Sequence, residues 1–235
     1  MIPDKAFYVN PLNIKLNFFQ LDKQESIHAS KVLRLVKNVE ILLLDGTGNA
    51  YLAKIKNIEP NNVSGEILKK IHQLGENKFN LNLAAAIIKR DRFKTIIEKG
   101  TELGVNNFYP LLLDRCINRK INYSRINKNI ISSSKQTKRS IFPVLNKSLT
   151  LKKFLEKSNQ TIIAGVINSE IKLQDINFQN SKKITIIIGP EGDFSESEIN
   201  LMRNHNVLFY NIGPRILRSE TAAIYSLSIL NEKFR

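Results

Sequence analysis

The chain has 235 residues, one cysteine and a formal net charge of +15, with 42% hydrophobic residues. This composition excludes an intramolecular disulfide, a cysteine-based metal cluster and a disordered chain. His28, His72 and His205 show no ligand spacing, residues 1–4 lack the pattern of a signal peptide, and no apolar run approaches membrane-spanning length, so a soluble cytoplasmic protein without metal is expected.

An excess of positive charge this large seeks polyanions. Residues 1–72 hold 10 Lys/Arg and 7 Asp/Glu, whereas residues 73–235 hold 26 and 14. Between Asp114 and Glu156 there are 11 Lys/Arg and no acidic residue. A window this long without counter-charge points to nucleic acid rather than to a plain solvated surface.

In chain order, residues 6–9 read as a short strand, and residues 25–35 as a helix carrying Ile27, Ala29, Val32 and Leu35. Residues 39–44 form a strand, the stretch Asp45-Gly46-Thr47-Gly48-Asn49 a hairpin-type turn, and residues 50–58 and 63–71 two alternating strands. Gly46-Thr47-Gly48 precedes no helix and so is a turn rather than a dinucleotide loop. Short strands joined by tight turns predict a small barrel over residues 1–72, and a polar stretch around Gly75 predicts a linker.

After the linker the pattern changes. Residues 79–88 form a buried apolar strand. A helix over 90–103 follows, with Phe93, Ile96, Ile97, Gly100 and Leu103 on one face and Gly104 at its end. Residues 105–113 form a strand and 122–140 a basic helix, ended by Pro143. A short helix over 149–157 starts near Thr150. Residues 161–167, 184–188 and 207–212 read as strands. Ser195 and Glu198 form a capping box flanked by Phe194 and Ile199, and 219–230 is the final helix. Strands alternating with helices predict a mainly parallel α/β sheet over residues 73–235.

Two loops stand out: Ile188-Gly189-Pro190-Glu191-Gly192-Asp193-Phe194, and Asn211-Ile212-Gly213-Pro214-Arg215-Ile216-Leu217-Arg218-Ser219-Glu220-Thr221-Ala222. Each places Gly-Pro at a strand end, where an α/β sheet binds ligands. Charged residues after each turn suit a polar ligand. No Walker motif, Gly-x-Ser-x-Gly elbow or Cys/His pair supports nucleotide hydrolysis or acyl transfer.

The two loops closely resemble those of the RsmE family, the 16S ribosomal RNA (uracil-N3)-methyltransferases of the SPOUT superfamily. Lys31-Val32-Leu33-Arg34, the stretch from Asp91-Arg92-Phe93 to Glu102-Leu103-Gly104-Val105, Asp114-Arg115-Cys116, and Gln136 with Arg139 extend the likeness over nearly the whole chain. The chain departs from the family pattern at three positions. Asp193 stands where a second Gly is usual, Lys135 where a Glu usually precedes the Gln, and Ser219 where a Thr is usual.

The resemblance implies an N-terminal PUA-like β-barrel for RNA and a C-terminal SPOUT α/β domain with a deep trefoil knot. It also implies S-adenosylmethionine as cofactor, a homodimer, and 3-methyluridine as product in the decoding region of 16S rRNA, within the 30S subunit. On it, Ile188, Gly189, Glu191, Gly192, Ile212, Gly213, Leu217 and Ser219 are the candidate cofactor residues. Uracil N3 becomes a nucleophile only when its proton leaves, and the anion spreads charge onto O2 and O4. Arg218 is therefore the candidate to stabilise that charge and Glu220 the candidate to accept the proton. For Arg218 a phosphate contact stays open, as do a helix-dipole role for Glu220 and water as the acceptor. Lys31, Arg34, Arg92, Arg115, Lys135, Gln136 and Arg139 are the candidate RNA contacts. Two other readings stay open: a SPOUT enzyme acting on another RNA base or a ribose, and a non-catalytic RNA-binding or assembly factor.

Overall fold

The computed structural model describes residues 2–117, 120–167, 169–178 and 181–234. Its contacts divide the chain into two compact units, one of residues 1–76 with 131–142, the other of residues 77–130 with 143–235. The boundary expected at 72/73 thus leaves out a second piece of the first unit, residues 131–142.

In the first unit, β1 (Ala6–Tyr8), β2 (Ile14–Lys15), β3 (Phe18–Gln20), β4 (Glu40–Leu44), β5 (Asn49–Glu59) and β6 (Asn62–His72) form one sheet in the order β1-β4-β5-β6-β3-β2. Only β1 and β4 pair in parallel; the other pairings are antiparallel. The register of β5 on β6 shifts at Leu52/Ala53 and again at Ile55/Asn57, which bends a sheet. At the second shift the backbones close in, and a Cβ on Gly65 would stand 2.0 Å from the Lys54 carbonyl, so only glycine fits. The β2–β3 hairpin was not expected, because two- and three-residue strands carry no readable alternation.

The expected helix over 25–35 is shorter and less regular. Asp22 Oδ1 accepts the Glu25 N–H (2.8 Å) and starts α1 (Lys23–Ile27), which widens into a π-turn over His28–Val32.

The run Ile41-Leu42-Leu43-Leu44 is unbroken because β4 is covered on both faces. Ile41 and Leu43 join a core with Phe7, Phe19, Ala53, Ile55 and Val63, while Leu42 and Leu44 meet Leu74 and Phe142. Residues 138–142 reach this position by a buried ion pair. Arg139 Nη2 donates to Glu76 Oε2 at 2.8 Å, with side chains 2% and 5% exposed. Glu76 Oε1 accepts the Ile141 N–H (2.9 Å).

Asp45 organises the turn between β4 and β5. Its carboxylate accepts the N–H groups of Thr47 (2.8 Å) and Asn49 (3.0 Å) and the Asn49 amide (2.7 Å). Burial pushes this carboxyl up, but the hydrogen bonds from Asn49 and Thr47 outweigh burial and hold it below its ordinary value. The same carboxylate helps burial push the Tyr51 hydroxyl up to about 12. A depressed carboxyl contributes stability that is present above its unfolded value and lost as pH falls through its folded value. Asp45→Ala is therefore expected to cost about 2 kcal/mol at neutral pH and to lose part of the wild-type acid sensitivity. Urea unfolding at about pH 7 and about pH 3 checks this; an unchanged difference between the two pH values refutes it.

The second unit is a parallel sheet. β7 (Asn80–Ala86), β8 (Val105–Leu112), β10 (Leu149–Thr150), β11 (Thr161–Gly165), β12 (Lys183–Ile188) and β13 (Leu208–Tyr210) run in the order β10-β8-β7-β12-β11-β13, and β9 (Val144–Leu145) also pairs with β8. Helices α2 (Arg90–Glu102), α4 (Leu151–Lys157), α5 (Glu196–Asn204) and α6 (Ser219–Lys233) belong to this unit, and α3 (Tyr123–Gln136) contains the unit boundary. The central strands are buried on both faces, as their continuous apolar runs require. No helix among the described residues is long and apolar enough to cross a membrane, and no group of His, Cys, Asp or Glu side chains among them is arranged to hold a metal.

Candidate active site

The strand order places β11 between β12 and β13, so the chain leaves three adjacent strands at one edge of the sheet. The loop after β12 (residues 189–195), the loop after β13 (residues 211–218) and the end of β11 meet there around a single cavity. Of the eight candidate cofactor residues, Ile188, Gly189, Glu191, Ile212, Gly213, Leu217 and Ser219 line it, and Gly192 does not. Gly165, Ile167, Asp193, Arg215 and Ala222 line it as well. Gly165 escaped sequence reading. Its signal was a glycine closing an apolar strand, as Gly189 and Gly213 do, but without the proline that marked those two.

The two loops are tied together. Ser219 Oγ donates to the Gly189 carbonyl at 2.8 Å, a bond that needs only a hydroxyl and so survives serine in place of the usual threonine. Asp193 has φ +62°, a left-handed conformation that aspartate tolerates better than most residues. Its N–H donates to the Pro190 carbonyl (3.0 Å) and its Oδ1 accepts the Phe194 N–H (2.9 Å), so the turn closes without the usual glycine. The capping box is present: Ser195 Oγ accepts the Glu198 N–H (3.2 Å) and Glu198 Oε2 accepts the Ser195 N–H (2.9 Å). Asp114 adds its Oδ2, which accepts from Ser195 Oγ at 2.6 Å, and so fixes where α5 begins relative to the first loop.

Gly213 has φ +118°, and a Cβ there would meet no atom within 4 Å. Space permits a side chain, but the backbone conformation does not. Gly213→Val is expected to shift the second loop at a strain of about 1–3 kcal/mol, weakening ligand binding in the cavity by roughly 10- to 100-fold while the fold persists. Calorimetry with S-adenosylmethionine reads this directly; unchanged affinity removes the second loop from the site.

Four candidate RNA contacts have partners within the protein. Arg92 Nη1 pairs with Glu191 Oε1 at 2.9 Å and its Nε lies 3.7 Å from Glu220 Oε1. Its guanidinium thus joins the first loop to the first turn of α6. Arg115 donates to the Gly192 carbonyl, bracing the first loop from outside the cavity. Lys135 pairs with Glu25 at 2.6 Å, both side chains nearly buried. The lysine standing where a glutamate is usual therefore has a carboxylate of its own to neutralise it. Arg139 is buried against Glu76 and reaches no solvent. Lys31, Arg34 and Gln136 remain exposed. Arg34 stands just beyond the π-turn with φ +51°.

Neither Arg218 nor Glu220 lines the cavity. Arg218 is exposed, and its carbonyl accepts the Ala222 N–H (2.8 Å) as the backbone cap of α6. Glu220 lies in the first turn of α6, where it complements the helix dipole. Its Oε2 is buried with no hydrogen-bond partner among the described residues.

Comparison with known proteins agrees with this architecture. Residues 75–231 match the model of the RNA methyltransferase domain, and residues 21–68 match that of the RNA methyltransferase PUA domain. Ribosomal RNA small subunit methyltransferase E of Rickettsia conorii is 31% identical over 226 residues, covering 94% of this chain and 92% of its own length. The crystal structure of the enzyme of the same name from Neisseria gonorrhoeae, bound to S-adenosyl methionine, superposes with a TM-score of 0.90 at 29% identity and covers 97% of both chains. A methyltransferase from Legionella pneumophila, also in complex with this cofactor, superposes at 0.88 with 27% identity and covers 98% of both. A PUA-type first domain, a methyltransferase α/β second domain and this span of sequence identity together place the chain in the ribosomal RNA small subunit methyltransferase E family.

Proposed function

We propose that the protein transfers a methyl group from S-adenosylmethionine to N3 of a specific uridine in 16S ribosomal RNA, in the decoding region of the 30S subunit. The observation that carries this reading is the joining of the two Gly-Pro loops, through Ser219 and Gly189, around one cavity at the strand ends.

The residues present fit the cofactor. Ile188, Ile212, Leu217 and Ala222 offer apolar surface for an adenine, loop N–H and C=O groups offer partners for its edge and for the ribose, and the Glu191 carboxylate, shared with Arg92, offers a polar edge towards a sulfonium. S-adenosylmethionine, when bound, supplies an activated methyl group. This chain's residues would position the uracil and manage its proton. Arg218, exposed between the cavity residues Leu217 and Ser219, is the candidate to stabilise charge on O2 or O4 as N3 loses its proton. Glu220, with a buried carboxylate oxygen that has no hydrogen-bond partner among the described residues, is the candidate acceptor, with water as its alternative.

The trefoil knot that the resemblance implies draws support from the passage of the chain after β13. There the Asn211 N–H donates to the Ile171 carbonyl (2.7 Å) and its Nδ2 to the Ser169 carbonyl (2.8 Å), holding this stretch against the connection from β11 to β12. A homodimer is supported by apolar surface beside the second loop, where Ile216 is 80% and Tyr225 45% exposed. A ribosomal substrate would place the protein in the cytoplasm.

The test incubates 30S subunits lacking the modification with the protein and S-adenosylmethionine and identifies methylated nucleosides by mass spectrometry after digestion. New 3-methyluridine at one site is expected. A different methylated nucleoside discards the N3 assignment, and cofactor-independent RNA binding without methylation favours an assembly factor.

A further inference from the structure

A second cavity of the methyltransferase unit, of about 330 Å³, opens between the start of α2 and the start of α3. Its lining is mainly basic: Arg90, Lys94, Lys120 and Arg125 stand against one carboxylate, Asp91. Lys94 pairs with Glu98 at 3.2 Å. Arg90, Lys120 and Arg125 have no ion-pair partner among the described residues and are exposed. Beneath them the floor is apolar, with Ile88, Phe93 and Ile126 nearly buried. The cap residue of α2, Lys89, makes no side-chain cap bond, so the first N–H groups of that helix add to the positive potential. A rim of unpaired cations over an apolar floor matches a nucleotide, phosphate outside and base face inside.

The position of this cleft gives it meaning. The first turn of α2 serves both sites: Arg92 reaches Glu191 and Glu220 beside the cofactor cavity, while its neighbours Asp91 and Phe93 line the basic cleft. The two cavities thus share the first turn of α2.

We propose that the cleft between α2 and α3 binds a nucleotide of the substrate RNA that flanks the methylated uridine, its phosphate held by Arg90, Lys120 and Arg125. The proposal rests on the RNA-methylation reading above and adds the contacts that hold the strand.

The experiment compares wild type, the triple variant R90A/K120A/R125A, and a control, K182A/K183A, which removes two exposed lysines at the opposite end of the sheet. Affinity for unmodified 30S subunits is measured across a potassium chloride series at fixed magnesium, and S-adenosylmethionine affinity by calorimetry. The triple variant is expected to bind subunits at least about 10-fold more weakly and to lose about 0.7 from the log–log salt slope, the share of one phosphate. Its cofactor affinity, which also reports an intact fold, should equal wild type. A wild-type slope in the triple variant, or an equal loss in the control, overturns the cleft. If wild type binds cofactor but neither binds nor methylates subunits, the functional reading fails first and the cleft falls with it.

Discussion

Replacing Arg139 by alanine is expected to destabilise the first unit by about 3–5 kcal/mol, the cost of leaving one partner of a buried ion pair uncompensated. Glu76 would keep its bond from the Ile141 N–H but lose both contacts from the guanidinium, at 2.8 and 3.3 Å. Arg139→Lys should recover only part of the loss, because an ammonium cannot reproduce the planar fork. In Arg139→Met with Glu76→Leu, the buried charges disappear together and most of the stability should return, less the contribution of the Ile141 bond. Equilibrium urea unfolding of the three variants tests this ordering. A loss below about 1 kcal/mol in Arg139→Ala would mean that the pair does not hold residues 138–142 in place.

Arg218→Ala is expected to lower kcat by 10²- to 10³-fold, the range seen when one donor to a developing oxyanion is removed. The substitution leaves the cap of α6 intact, since that cap uses the Arg218 carbonyl. The effect must also be separated from loss of a phosphate contact. A residue that acts only in the transition state lowers kcat with KM unchanged, whereas a phosphate contact raises KM and reduces the salt slope by about 0.7. Single-turnover methylation at saturating subunits, with cofactor affinity measured separately, distinguishes them. Full activity in the variant removes Arg218 from the chemistry.

These two arginines have opposite surroundings, Arg139 buried and Arg218 exposed. Arg139 sits at the end of a lysine-rich stretch with no acidic neighbour, and nothing local marks it as a core residue. Its carboxylate comes from Glu76, 63 positions earlier. Lys135 and Arg92 likewise find their partners 110 and 99 positions away. Local charge patterning can say that a segment is basic. It cannot say which cations are spent on distant carboxylates, and that decides which remain for RNA.

Elements governed by near neighbours were legible without coordinates. The capping box of Ser195 and Glu198, the glycine that ends α2, the alternation in β5 and β6 and the apolar runs of β7 and β12 depend on residues a few positions apart. The Gly-Pro turns marked the site for the same reason, because backbone freedom at a strand end is a local property. The tertiary structure decided which strand lies between those turns, and hence that Gly165 and Ile167 join the cavity. It also assigned residues 131–142 to the first unit, where Phe142 covers a face of β4 that an all-apolar strand leaves in need of a partner. Sequence determined the elements and the chemistry available at their ends, because these follow from backbone preference and periodicity. Only the fold decided which ends meet and which charges are neutralised, because long-range pairing depends on strand order and burial, which no local pattern encodes.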